Sequence, residues 1–264
     1  MIHEAQTSHI ASNFSVSDIA TVLYENLNEG DEVVWSAGWK AATIYYFLAK
    51  QGKISVEDLE FFGKEIDGKV KYLGLAETDI PGVLVNGGSV GHGLSVAVGM
   101  ALGKKRAGEK GRIFCIMSDG EWDEGSVWEA ALVAGHHKLD NLVAITDYNL
   151  WQAMGKVEDI LSLEPATDKW KAFNWDSIRI KGHHYSSIET SLQYRPFKPL
   201  MIVAETIKGK GVSFFEDPPE HKVLGYNTGH KYHYANLTDE IYEKALAELN
   251  NPIAIDDEEA HLQG

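Results

Sequence analysis

Apolar positions recur along the chain in two rhythms. Over residues 15–27 (SVSDIATVLYENL), Val16, Ile19, Ala20, Val22, Leu23 and Leu27 fall at helical spacing, with serines ahead of them as candidate caps. EVVWS (32–36) reads as a short strand, KAATIYYFLAK (40–50) as an apolar helix, and a further helix is expected after Ser55. Residues 74–91 are glycine-rich and irregular. LSVAVGMALGKKRAG (94–108) predicts a helix whose cations sit near the C-terminal end of its dipole. RIFCIMSD (112–119) and NLVAITDY (141–148) are almost unbroken apolar runs, the pattern of strands buried on both faces. A helix over 126–138 separates them. Further on, 168–173, 186–193 and 238–250 predict helices, and 175–182 and 199–207 predict strands. This alternation predicts an α/β fold, a mostly parallel open sheet with helices on both faces. One domain is expected over 1–250, followed by an acidic C-terminal tail, 251–264.

Charge and composition narrow the partners. The 264 residues carry a formal net charge of -15, which disfavours nucleic acid and anionic membrane surfaces. An anionic ligand would need a local device, such as a metal ion or a helix N-terminus. The single cysteine, Cys115, sits inside an apolar run and reads as a small buried hydrophobe. MIHEAQTSHI lacks the basic-then-apolar order of a signal peptide, and no apolar run approaches the roughly 20 residues of a membrane span. A cytoplasmic protein is expected.

The candidate chemistry lies at the ends of the two buried strands. Ligands of parallel sheets bind outside the strands' carboxyl ends. Asp119 stands at one such end and Asn149 at the next, thirty residues on. A carboxylate and an amide carbonyl are hard oxygen ligands that suit Mg²⁺, with Ca²⁺ as an alternative, and do not suit zinc. Two ligands leave room for water and phosphate oxygens, so a metal-bridged diphosphate is the ligand this pair fits. Gly120 and Gly125 let the backbone come close to such a group. Each part alone has a plainer reading: Asp-Gly after a strand is commonly a turn, and GGSVGHG (87–93) is a weak dinucleotide fingerprint without a convincing strand before it.

Together these parts resemble the N-terminal, diphosphate-binding half of transketolase, in the form in which two polypeptides share the work. The family motif Gly-Asp-Gly, about thirty residues, then Asn stands here as Ser118-Asp119-Gly120 through Asn149. Glu124-Gly125, EAALVAGHHKLDNLVAI, GGSVGHGLSVAVGMALGKK and TIKGKGVSFFEDPPEH (206–221) also match, so the resemblance spans roughly residues 5–225. It implies a thiamine diphosphate-binding fold. It implies that Asp119, Asn149 and the backbone carbonyl of Trp151 hold Mg²⁺, with Gly120 close to the diphosphate. Gly88 and Val90 match positions that line the cofactor's rings, and Glu124 matches a carboxylate near the subunit interface. Histidines that position sugar hydroxyls and move protons are matched by His9 and His221, and His92 is a further polar group beside the ring-lining residues. The cofactor's thiazolium ylid attacks a carbonyl and acts as an electron sink. The family's activating Glu belongs to a pyrimidine-binding domain not found in this chain. The resemblance therefore implies a transketolase-type transferase of carbohydrate metabolism. It would be active only with a C-terminal partner subunit, in an α₂β₂ heterotetramer, and would move a two-carbon ketol or short acyl unit between carbonyl substrates.

Two family histidines are absent. Ser-x-Gly-His is here Ser36-Ala37-Gly38-Trp39, and Gly-His-Pro is Gly74-Leu75-Ala76. Both losses put apolar surface where a polyol would be held, which points to an unusual substrate. They also leave open a non-catalytic subunit that keeps the cofactor for assembly. Trp122 and Trp128 could line a substrate channel or, more commonly for such residues, pack a helix face or a subunit interface. KGKG (208–211) reads as a mobile loop or a solvated turn, and His136, His137, His183 and His184 as surface or packing residues.

Overall fold

A computed structural model describes residues 1–216, Tyr232 and 236–251. The chain begins with helices α1 (Ile2–Ala5) and α2 (Ile10–Glu25), then β1 (Glu32–Trp35) and α3 (Ala41–Lys50). A short hairpin follows, β2 (Glu65–Ile66) and β3 (Lys69–Val70), and then α4 (Gly93–Ala107), β4 (Ile113–Ser118) and α5 (Gly125–His136). After β5 (Leu142–Tyr148) come α6 (Val157–Ile160), α7 (Ala166–Ala172), β6 (Asp176–Lys181), α8 (Tyr185–Gln193), β7 (Leu200–Glu205) and α9 (Asp239–Asn250).

Five strands form one sheet in the order β1-β4-β5-β7-β6, and every pairing is parallel. This is the open, helix-covered sheet that the alternating pattern predicts. β4 and β5 are buried at every residue, as their apolar runs require. Side chains of a strand alternate between faces. Phe114, Ile116, Val143 and Ile145 therefore join the core under α2, α3 and α8, while Cys115, Met117, Leu142 and Ala144 join the core under α4, α5 and α7. Burial pushes the Cys115 thiol up, which fits an inert packing residue.

Several details differ from the pattern. α2 starts five residues early, so its cap is His9 and not a serine. The helix expected after Ser55 is a 3-10 turn, Glu57–Phe61, with no buried residue to anchor a longer element. His221 and the tail beyond Asn251 lie outside the described residues. No helix among the described residues is long and apolar enough to cross a membrane.

Candidate functional site

The segments that follow β1, β4 and β5 enclose one cavity at the carboxyl edge of the sheet. Trp39 and Lys40 follow β1, Asp119 and Gly120 follow β4, and Asn149 and Trp151 follow β5; His9 and Ser12 close it from the start of α2. Leu75, Gly88 and Val90 form the opposite wall, and the volume is about 280 Å³. A larger groove of about 800 Å³ between α2, α3 and α9 is lined mainly by apolar side chains such as Phe14, Phe47 and Leu246. The smaller cavity is the candidate site, because convergent charged and polar groups mark a reactive pocket better than volume does.

Of the residues singled out from sequence, Asp119, Gly120, Asn149, Trp151, Gly88, Val90 and His9 all line this cavity. His92 and Glu124 do not. His92 is exposed at the cap of α4, with Nδ1 3.3 Å from the Ser89 carbonyl oxygen. Glu124 is exposed at the cap of α5, where it lies against Gly91.

Two left-handed residues shape the floor. His9 has φ 71° and Leu150 has φ 65°, uncommon for side-chain-bearing residues and frequent where a site demands them. The turn at Leu150 sends its N–H to Asp119 Oδ2 at 2.6 Å and sets Asn149 and Trp151 on the cavity. Gly120 N–H donates to Asp119 Oδ1 at 2.8 Å. Ser118 keeps a negative φ of -108°, so the usual glycine is not needed there. Asp119 is almost fully buried. Burial, and then the nearby Asp147 carboxylate, push its pKa up to about 7 against the hydrogen bonds that lower it. A cation placed beside it would favour the ionised form that burial opposes.

The wall opposite is held by backbone. A Cβ on Gly38 would fall 2.1 Å from Gly87 Cα, so the two segments cross in direct contact. Ala76 N–H donates to the Gly38 carbonyl at 3.0 Å, and Gly87 N–H to the Ala76 carbonyl at 2.8 Å. Trp39 and Leu75, which flank this crossing, are thereby fixed on the cavity.

Sequence reasoning missed the buried charges. Lys40 and Asp147 are 1% and 0% exposed and form an ion pair. Burial raises the Asp147 carboxyl most, but the Lys40 charge with hydrogen bonds from Lys40, Ser15 and Thr206 holds it below the usual range. Burial, then the charges of Lys208 and Lys40, lower His9 to about 4, so at neutral pH it is an unprotonated imidazole, with Ser8 Oγ 2.6 Å from its Nδ1. Glu121 is also fully buried. Its Oε2 accepts from Ser118 N–H at 2.8 Å, and its Oε1 accepts from Gly91 N–H at 3.2 Å and from the Ser36 hydroxyl. It thus ties the glycine-rich loop to two strand ends. An acid inside an apolar run, as at Asp147, was the available signal, since such a group needs a buried partner.

Other readings resolve simply. Trp122 packs edge-on against Trp128 and Trp170, at 6.1 and 5.2 Å between ring centroids. His183 bridges Asp18 and the Ile207 N–H, each at 2.7 Å. Lys208 of KGKG is buried, and Gly209 N–H donates to the Ala11 carbonyl at 3.0 Å. The start of that segment is therefore packed on α2 and is not a solvated turn. No strand leads into GGSVGHG, which removes the dinucleotide-fingerprint reading.

Residues 1–232 match the family described as transketolase, thiamine diphosphate binding domain. The chain is 34% identical to one of the subunits of the apulose-4-phosphate transketolase of Phocaeicola vulgatus, over 96% of this chain and 90% of that one. It is 35% identical to the 6-deoxy-6-sulfo-D-fructose transketolase subunit SqwG of a Clostridium species, over 91% of this chain and 88% of that one. Among solved structures, the transketolase of Campylobacter jejuni superposes with a TM-score of 0.84 at 30% identity. The match covers 95% of this chain and 40% of that one.

Proposed function

Since this chain belongs to the transketolase family and carries its thiamine diphosphate-binding domain, we propose that it is the N-terminal subunit of a two-chain transketolase-like transferase. It would move a two-carbon ketol or short acyl unit between carbonyl substrates. The observation that carries this reading is the single cavity in which Asp119, Asn149, Gly88, Val90 and His9 meet. The donor set suits Mg²⁺. Asp119 supplies a carboxylate, and Asn149 presents its amide with Nδ2 on Asp147 and Oδ1 3.0 Å from the Trp151 N–H. Among the described residues there is no cluster of three His, Cys, Asp or Glu placed to hold a metal. The remaining ligands would thus be backbone, water and phosphate oxygens.

Thiamine diphosphate, when bound, supplies the carbanion and the electron sink of the reaction. The chain's own residues bind and orient. Asp119 and Asn149 would hold a cation that neutralises the diphosphate, Gly88 and Val90 would line the cofactor's rings, and His9 would set a neutral imidazole beside the substrate. The activating Glu comes from a C-terminal partner subunit in an α₂β₂ assembly. In support, both curated relatives match over most of their length and are named as subunits. Purification of the tagged chain from its own cells is expected to bring down one stoichiometric second chain with thiamine diphosphate bound. Thiamine diphosphate with Mg²⁺ should raise the thermal midpoint of that complex, and NAD should not. A homo-oligomer without such a second chain would overturn the enzyme reading and leave the non-catalytic one.

The apolar wall bears on the substrate. Leu75 offers no side-chain donor or acceptor and Trp39 only an indole N–H, so an ordinary sugar phosphate would leave hydroxyls unpaired there. The two relatives are named for apulose 4-phosphate and for a 6-deoxy-6-sulfo sugar, which agrees with specialised substrates on this scaffold. The complex is expected to turn over xylulose 5-phosphate poorly. Trp39→His with Leu75→His should raise kcat/KM for it by roughly 10-fold or more. Efficient turnover of that sugar by the unaltered complex would refute the specialisation.

A further inference from the structure

Asp147 lies next to the site but does not line the cavity. Four side chains from four parts of the fold donate to it. Ser15 of α2 donates to Oδ2 at 2.5 Å and Asn149 Nδ2 to the same oxygen at 3.2 Å. Lys40, ahead of α3, pairs with Oδ2, and Thr206, after β7, donates to Oδ1. The carboxylate is therefore fixed from several directions, with its charge balanced inside the protein.

A side-chain amide can present either its oxygen or its nitrogen by a half-turn. A carboxylate only accepts hydrogen bonds. Asp147, with the Trp151 N–H that donates to Oδ1 at 3.0 Å, consequently selects one of the two orientations of Asn149. The nitrogen turns inward to Asp147, and the oxygen is left on the side of the Trp151 N–H, where Asn149 meets the cavity. The geometry points to Asp147 as a positioning residue: balanced by Lys40, it fixes the Asn149 amide so that an oxygen and not a nitrogen faces the cation. This inference rests on the reading of Asn149 as a metal ligand.

The inference makes an unusual demand on substitution. A carboxylate is ordinarily a better Mg²⁺ ligand than an amide, so at an unconstrained position Asn149→Asp would tighten binding. Here it sets a second carboxylate where a donor now lies 3.2 Å from Asp147. Asn149→Asp is expected to weaken Mg²⁺ affinity about 10-fold or more, the scale found for broken supporting contacts of metal ligands. Exchanging the pair, Asp147→Asn with Asn149→Asp, keeps the net charge and restores donor against acceptor. It should recover most of the affinity. The measurement is an Mg²⁺ titration by calorimetry at saturating thiamine diphosphate, on the complex purified with its partner, with thermal midpoints taken without metal. Wild-type or tighter affinity in Asn149→Asp overturns the inference while leaving the cofactor reading intact. So does an exchange variant that folds yet binds no better than the single one. If Asn149→Asp fails to fold, the exchange variant decides alone: folded with near wild-type affinity supports the inference, and folded without it overturns it. A wild-type complex that gives no response to Mg²⁺ and thiamine diphosphate removes the cofactor reading, and this inference with it.

Discussion

Asp119→Ala is expected to lower turnover of the assembled enzyme by on the order of 10³ or more. The carboxylate is the one charged oxygen ligand that the cavity offers a cation from the β4 exit, and its two oxygens already fix the Gly120 and Leu150 N–H groups. On the proposed function, removing it would take away the cation's anchor and loosen the turn that presents Asn149. Stability of the cofactor-free protein should follow a different balance. Asp119 is held in the interior beside Asp147, and burial and like charge both oppose its ionised form. In Asp119→Asn relief of that opposition is set against one lost backbone hydrogen bond, since an amide has a single oxygen for the Gly120 and Leu150 N–H groups. Stability without ligands should therefore change little, while the rise in thermal midpoint given by Mg²⁺ with thiamine diphosphate disappears. A variant that loses stability without ligands, yet keeps the ligand-induced rise, would show that Asp119 is a structural residue and not a ligand.

The second large effect is expected from Lys40→Met. The pair it breaks is sealed from water on both sides, at 1% and 0% exposure. Removing one member of such a pair strands the other as a buried charge, at a cost of roughly 3–5 kcal/mol. The Ser15, Thr206 and Asn149 donors remain on Asp147 and soften the loss without neutralising it. Adding Asp147→Asn to Lys40→Met removes both charges and should return much of that stability, since neutral replacement of a whole buried pair is often nearly neutral in energy. Urea unfolding of the two variants beside wild type measures both steps. A loss below about 1 kcal/mol for Lys40→Met would mean that water reaches Asp147 and that the pair is not sealed.

The sequence was most legible where the chain's local pattern and its fold agree. β4 and β5 are unbroken apolar runs because both faces of a central strand are covered, and their ends located Asp119 and Asn149 without any structure. The helix between them fixed the two exits as neighbours. What escaped was non-local. Lys40 and Asp147 are far apart along the chain, and nothing in the periodicity of either segment names the other. The family resemblance singles out Glu124 and leaves Glu121 unremarked; only the fold turns Glu121 inward to Ser36 and Gly91 and leaves Glu124 in water. Small elements also escaped. The two-residue strands β2 and β3 are too short to show a period, and α1 has one buried residue, Ile2. KGKG misled by composition: cations beside glycines suggest solvent, but Lys208 is drawn inside.

The crossing of Gly38 with Gly87 sets how this pocket can diversify. A Cβ on Gly38 would meet Gly87 Cα at 2.1 Å, and one on Gly87 would meet Gly38 Cα at 2.2 Å. No single-step substitution at either position is tolerated without moving both segments, so the crossing is mutationally frozen. One residue along from it, Trp39 carries its variation in a side chain alone, and so does Leu75 beside the hydrogen-bonded Ala76. On the proposed function, substrate preference could therefore be altered at these two side chains with the frame unmoved, whereas a side chain at either glycine would shift the frame itself.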